Sequence, residues 1–273
     1  MKAVTMIDFD AAWHHLRWMF TNAPVVKGGR WQGVDIASRP EMRTRELFNV
    51  SVNTDLQGIE SLDHWRKDVQ PSLPWADDHF AERVSRIPVN PGETWKSWPY
   101  GHSAANFLDE NGQFNHNYME RYWPKFAGWL SAAEVTLPEK EWQDINRGIR
   151  AQFGDLDDVV SILADDPLTR QAYVPIYFPE DNSHNSRKPC TLGYHFIMRD
   201  YRLHVVYYMR SCDFVRHWRD DVYLTIRLLL WMLEELRKRN REWRNVTPGR
   251  FTMHMTSLHM FENDHLNMFK AET

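Results

Sequence analysis

Apolar residues recur at helical spacing over 9–21 (FDAAWHHLRWMFT), which predicts a first helix. Over 41–52 (EMRTRELFNVSV) polar and apolar side chains alternate instead, the period of a half-buried strand. A helix is expected around 56–67. Residues 71–125 are rich in Trp, Pro, Gly and Asn and show neither period, so irregular structure is expected there. One or two helices follow over 139–164, stopped before Asp166-Pro167. Residues 171–178, 192–199 and 201–209 read as strands, the last two joined as a hairpin by a tight turn at Asp200. The clearest helix runs over 222–243. Leu224, Leu228, Leu229, Trp231, Met232 and Leu236 give it a broad apolar face, and its end is basic (Arg237, Lys238, Arg239, Arg241, Arg244), as the helix dipole favours. Thr247-Pro248-Gly249 ends the segment, and 250–256 (RFTMHMT) alternates as a strand. Helices and strands mix without strict alternation. The expected class is therefore α/β of the α+β kind, a mixed sheet flanked by helices.

Composition narrows the function classes. The 273 residues fit one domain, 1–273, with 42% hydrophobic and 26% charged residues, and 14% aromatic content argues against disorder as the main state. Lys+Arg is 33 against Asp+Glu 37, so the chain is not a basic nucleic-acid coat. The basic helix end from Arg237 to Arg244, with Trp243 among the cations, is the feature that would suit a non-catalytic protein binding nucleic acid or a partner; such termini are usually just solvated. Two cysteines, Cys190 and Cys212, exclude a disulfide framework and a multi-thiolate zinc site, and point to a reduced, cytoplasmic setting. The N-terminal stretch carries Asp8 and Asp10 and does not read as a signal peptide. The longest apolar run, 228–233, is far below the ~18 residues of a membrane span.

Chemistry concentrates late in the chain. Cys190 follows Pro189 at the start of an expected strand; a lone cysteine there is usually a small core residue. Arg210, Ser211, Cys212 and Asp213 put three polar or charged side chains at the end of another strand. Asp221 follows eleven residues after Arg210, beside Asp220 at a helix start, where an acid is ordinarily a dipole partner. His254, His259 and His265 lie close in sequence, but no H-E-x-x-H and no cysteine set accompanies them, so no metal is expected. There is no G-x-G-x-x-G, P-loop or G-x-S-x-G, which leaves dinucleotide, NTPase and hydrolase-elbow readings without support.

Taken together, Pro189-Cys190, Arg210-Ser211-Cys212-Asp213, Asp221 and Ser257-Leu258-His259 resemble the thymidylate synthase superfamily. Upstream, Asp165-Asp166-Pro167-Leu168-Thr169-Arg170 resembles its phosphate-arginine segment, and Asp109-Glu110-Asn111-Gly112 followed by Tyr118 its loop to the active-site tyrosine. Pro91-Gly92-Glu93-Thr94, Asn117-Tyr118, Met209-Arg210-Ser211 and Ser257-Leu258-His259 are closer to the phage deoxycytidylate hydroxymethylase branch.

The resemblance implies a homodimer of mixed six-stranded sheets packed back to back, and transfer of a one-carbon unit from 5,10-methylenetetrahydrofolate to C5 of a pyrimidine nucleotide. By the same resemblance Cys190 would attack C6 of the ring. Arg210 would hold phosphate and lower the thiol pKa. Arg170 would reach the nucleotide of the partner subunit, Ser211 would touch phosphate, Asp213 the pterin and His259 the sugar. Tyr118 and a carboxylate, Glu60 with Asp63 as runner-up, would handle protons and water. Gln171 stands in place of the family's second arginine, leaving Lys27 or Arg30 to assist with phosphate. Thr191 replaces the usual histidine, as in the hydroxymethylase branch, and Phe261 replaces a sugar-binding tyrosine. The segment Lys270-Ala271-Glu272-Thr273 lacks an apolar closing tail. Both Thr191 and the tail favour addition of water over hydride, hence hydroxymethyl over methyl.

Asp221 bears on the base. Uridylate enzymes place an asparagine at the matching position, accepting from uracil N3–H and donating to O4. Cytosine reverses both edges, and a carboxyl group sharing one proton with N3 fits it. Burial beside Asp220 would raise the carboxyl pKa and help that arrangement. Two buried mismatches at about 1–3 kcal/mol each give discrimination on the order of 10² or more. The expected substrate is a cytidylate, dCMP ahead of CMP, with a dCMP methyltransferase as the close alternative.

Overall fold

The computed structural model describes residues 2–31, 34–125, 154–182 and 187–270. Strands are β1 (Lys2–Met6), β2 (Val25–Val26), β3 (Arg30–Trp31), β4 (Val34–Asp35), β5 (Thr44–Asp55), β6 (Tyr173–Pro175), β7 (Thr191–Arg199), β8 (Arg202–Asp213) and β9 (Thr247–Phe261). Helices are α1 (Phe9–Phe20), α2 (Leu62–Val69), α3 (Trp75–Arg83), α4 (Gly101–Ala104), α5 (Tyr118–Tyr122), α6 (Leu156–Asp165), α7 (Trp218–Arg239) and α8 (Glu262–Phe269). Among the described residues the main sheet runs β1-β5-β9-β8-β7-β6, with short β2 added against β5, and β3–β4 form a separate ribbon. The β1–β5 and β8–β9 pairs are parallel and the others antiparallel, so the sheet is mixed, as expected.

Alternation fixes which face is covered. Leu203, Val205, Tyr207 and Met209 of β8 are buried, as are Phe251, Met253 and Met255 of β9, and α7 packs on this face. The opposite face is more open: Tyr208 stacks on His254 with centroids 5.4 Å apart, and Phe48 is 68% exposed. The β7–β8 hairpin turns through Asp200 (φ 51) and Tyr201 (φ 55), the two positive φ values of a tight primed turn.

Several elements differ from the sequence pattern. The helix expected around 56–67 starts at Leu62, where the Ser61 side chain caps it by accepting from His64 N–H. The long helix begins earlier, at Trp218, and ends at Arg239; Asn240 then caps a 3₁₀ turn. Residues 71–125 are not wholly irregular. They contain α3, which buries Trp75, Ala76, Phe80 and also Arg83, so its inner face is not apolar throughout and the hydrophobic period is blurred. Strand β1 has no counterpart in the pattern. The expected helix over 139–153 lies outside the described residues. Among the described residues no helix is long and apolar enough to cross a membrane.

Candidate active site

Cys190 is the last residue before β7, and β8 ends at Asp213 alongside the end of β9. The register sets Thr191 beside Met209, and Ser211, Cys212 and Asp213 beside Ser257, Leu258 and His259. Three strand termini thus meet at the carboxyl end of the parallel β8–β9 pair, where sheets of this kind leave a crevice. A register shift between Thr191 and Gly193 bends β7 just after Cys190. Asp213 Oδ1 accepts from the N–H groups of Val215 and Arg216, each at 3.0 Å, and turns the chain into α7. The first turn of α7 carries Asp220 and Asp221, both buried.

A cavity of about 210 Å³ opens at this point, lined in part by Cys190, Tyr118, Ser211, Asp213 and Asp221. Arg210 stands against the thiol. Its Nη2 lies 3.7 Å from Cys190 Sγ, while Nε and Nη2 donate to the carbonyls of Pro189 and Lys188 at 2.7 and 2.8 Å. His259 Nδ1 lies 3.4 Å from Ser211 Oγ, and burial holds the imidazole down to about 4, so it is neutral.

The Cys190 side chain reaches solvent through the cavity, yet the enclosing walls push its pKa up, against the pull of Arg210 and Arg187. Arg210 acts in the expected direction, but desolvation outweighs it and the resting group is the thiol. Burial likewise pushes the Asp221 carboxyl up to about 7; Arg83 opposes and Asp220 adds to the rise. The Cys212 thiol donates to Asp221 Oδ2 at 3.8 Å and Tyr207 bonds the same carboxylate. Thr191, fully buried, lies 2.6 Å from the Tyr118 hydroxyl and 2.7 Å from that of Tyr207. A buried chain of hydroxyls therefore links Tyr118 to Asp221.

Other residues picked from the sequence lie elsewhere. Glu60 makes two bonds to Arg237, at 2.7 and 2.9 Å. Arg237 is sixteen residues beyond Asp221 on the same helix, about 24 Å along its axis, so Glu60 is not brought to the cavity. The runner-up Asp63 is 88% exposed and paired with Arg66 at 2.6 Å. Lys27 and Arg30 are exposed at the β2–β3 turn, and neither lines the cavity. Arg170 is exposed before β6, its carbonyl accepting from His195 Nε2 at 3.0 Å, and does not line the cavity either. Among the described residues His254, His259 and His265 form no metal-holding group.

Sequence reasoning missed one wall. Trp75, His79 and Arg83 of α3 fall at i, i+4 and i+8 and all line the cavity. The Arg83 guanidinium sits 3.7 Å above the Tyr118 ring, a buried cation–π contact. Trp98 stacks on His217 at 4.7 Å and donates to Asp220 Oδ2 at 3.4 Å. Arg187 adds a cation to the lining. The spacing of Trp75, His79 and Arg83 is the signal that could have revealed α3.

Known proteins are similar to this chain in sequence and fold. The thymidylate synthase family model matches residues 80–272. A deoxyuridylate hydroxymethyltransferase of Bacillus phage SP01 is 29% identical over 171 residues, 61% of this chain but 38% of that enzyme's length. A putative thymidylate synthase of Methanococcoides burtonii is 21% identical over 160 residues, covering 59% of this chain and 69% of its own. Thermostable thymidylate synthase A from Bacillus subtilis shares the fold at a TM-score of 0.63 and 12% identity, over 97% of this chain and 83% of that one. The family model takes in well over half of the chain, which therefore belongs to the thymidylate synthase family.

Proposed function

We propose that the chain is a dCMP 5-hydroxymethyltransferase that supplies a precursor for modified DNA. The observation that carries the reading is Asp221: a buried carboxyl in the cavity wall that keeps its proton to about pH 7. A protonated carboxyl donates to cytosine N3 and its other oxygen accepts from the N4 amine. That contact also draws electron density from the ring and makes C6 more electrophilic. Cys190 attacks C6; Arg210, beside the sulfur, favours the thiolate as it forms. Tyr118, joined through Thr191 to the hydroxyl chain, handles the C5 proton. Ser211, Arg210 and Arg187 offer donors to phosphate, and His259 to the sugar. The one-carbon unit arrives on methylenetetrahydrofolate, whose flat pterin suits the Trp95 and Trp98 walls, with Asp213 as its polar partner.

The open sheet face, with exposed Phe48 and the Tyr208–His254 stack, supports pairing with a second copy, and Arg170 would then serve the partner's phosphate. A uridylate substrate is the second reading, favoured by the name of the phage relative. Incubation with methylenetetrahydrofolate and dCMP or dUMP, followed by mass analysis, tests both. The expected product is hydroxymethyl-dCMP. A methyl product, or preference for dUMP, would overturn the reading.

A further inference from the structure

With Glu60 held against Arg237, the water that completes a hydroxymethyl group needs another base. The α3 wall holds one. His79 stacks on Trp75 with centroids 4.8 Å apart, and its side chain is 12% exposed. Its Nδ1 lies 2.9 Å from Thr94 Oγ1, and that hydroxyl donates to Glu82 Oε2 at 2.5 Å. Burial alone would raise the Glu82 pKa, but the His79 ring 3.7 Å away and the bonds from Thr94 and the Glu93 N–H hold it down to about 2. Glu82 is thus a carboxylate and can only accept. Thr94 has one proton, which goes to Glu82, so Thr94 accepts from His79. The imidazole proton is therefore on Nδ1 and the lone pair on Nε2. Burial, with Arg83 nearby, holds the imidazolium down to about 4, leaving the ring neutral at neutral pH.

The loop Pro91-Gly92-Glu93-Thr94 makes this arrangement. Gly92 has φ 75, and a Cβ there would lie 2.6 Å from Glu82 Oε1. Glycine at this φ lets the loop close onto the Glu82 carboxylate without displacing it, bring the Glu93 N–H to 2.7 Å from it, and set Thr94 beside His79. The other imidazoles of the cavity lack this: His217 lies against Trp98, and His116 Nδ1 meets the Asn115 amide at 2.8 Å. An oriented base backed by a hydroxyl and a carboxylate is the arrangement that general-base chemistry uses.

We propose that His79 is the general base for the water that adds to the nucleotide. The inference rests on the hydroxymethyl reading above. Water oxygen bonds to the exocyclic methylene carbon on C5, and one water proton passes to His79 Nε2. The methylene C=C pair moves onto C5 and re-forms C5=C6 as the C6–Sγ bond breaks, leaving its electrons on Cys190 as thiolate. That thiolate and the proton on His79 recombine through solvent. Water is consumed as hydroxyl plus proton, and nothing is oxidised or reduced.

Single-turnover reactions of the full chain with [5-³H]dCMP and methylenetetrahydrofolate test the role. In His79→Gln, tritium release should stay within about threefold of wild type while hydroxymethyl product forms at least about tenfold more slowly. Thr94→Val keeps the ring and its stack, so it should fold and show a smaller lag of the same kind. Tritium release and product falling together in both variants, or product forming at the wild-type rate in His79→Gln, would overturn the assignment. A methyl product from the wild-type chain would overturn the hydroxymethyl reading as well, which separates the two failures.

Discussion

Two walls of one cavity are built in different ways. The floor comes from strand ends: Cys190 before β7, Ser211 and Asp213 closing β8, Asp221 in the first turn of the helix that follows. Its geometry is set by sheet register, and its polar residues stand out against alternating apolar neighbours. The opposite wall comes from α3 and the loop after it, where Trp75, His79, Arg83 and Trp98 are held by side-chain bonds and ring stacking. The lesson is a division of labour. In the proposed reading, the rigid sheet end would hold the groups that bond the nucleotide covalently and read its base. The loop wall would then hold the groups that decide what happens to the added carbon, as loops on a rigid scaffold often do.

The largest effect should come from the floor. Cys190→Ser replaces a thiol by a far weaker acid of nearly the same size. Turnover should fall by about 10³-fold or more while dCMP binding and folding survive. Tritium release from C5 measures the first and equilibrium dialysis the second. Retention of a tenth of the wild-type rate would end the nucleophile assignment and the contrast built on it.

Asp221→Asn comes next. The amide accepts from uracil N3–H and donates to O4, but it has no shareable acid proton for cytosine. The ratio of kcat/KM for dCMP over dUMP should fall at least about tenfold, or ~1.4 kcal/mol of transition-state binding. Wild-type kcat/KM for dCMP should fall above pH about 7 as the carboxyl ionises, and the variant should lose that limb. The groups facing it are Asp220 on α7, Tyr207 and Cys212 on β8, and Arg83 on α3. Stability follows the same sign. The folded pKa of about 7 lies above the ordinary 3.8, so between them the native state holds a proton the unfolded chain has lost. This carboxyl's contribution therefore falls as pH rises through that window, and Asp221→Asn should gain on wild type in denaturant midpoint at pH 8 but not at pH 4. An unchanged substrate ratio would leave the cytosine reading without its main support.

What was legible follows the same division. Cys190, Arg210, Asp213 and Asp221 each had an ordinary structural reading when taken singly; they could be picked out because their order and spacing together resemble one family, and the structure gathers them around one cavity. Wall residues could not be picked out in this way. α3 has nine residues, and its inner face mixes Trp75 and Phe80 with Arg83, so its apolar period is blurred and only the four-residue spacing of Trp75, His79 and Arg83 marks it. Glu60 shows the opposite failure. Its partner lies 177 residues away, and nothing in the neighbouring pattern announces a contact between the β5–α2 connection and the far end of α7.

The loop wall can be sharpened with two glycines. Gly92 and Gly112 share nearly the same φ, 75 and 74, but a Cβ on Gly112 meets nothing within 4 Å, whereas one on Gly92 strikes Glu82. Gly112→Ala should cost about 1–2 kcal/mol from backbone strain alone, with turnover kept. Gly92→Ala should add the displacement of Glu82 and Thr94, giving a several-fold slower product step as well. Urea unfolding and product formation on both variants separate strain from the contact. Equal effects would mean that the Gly92 loop does not support His79.

The smallest effect should be at Glu60. Its carboxylate spends both oxygens on Arg237, with its pKa lowered chiefly by that bond, at the opposite end of α7 from Asp221. The pair is partly exposed, its side chains 43% and 28% accessible, so solvent screens it and its contribution is about 1 kcal/mol or less. Glu60→Gln keeps the shape and removes the charge. Turnover should stay within about twofold of wild type, and the urea midpoint should drop slightly, more at low salt than at high salt, because exposed pairs are screened. Arg237→Gln should behave alike, and the double variant should lose little more than either single one, since each already breaks the pair. A hundredfold loss of hydroxymethyl product in Glu60→Gln, with Arg237→Gln unaffected, would place this carboxylate at the reacting carbon. The opposition drawn between the two ends of α7 would then fail, and His79 would lose its role to Glu60.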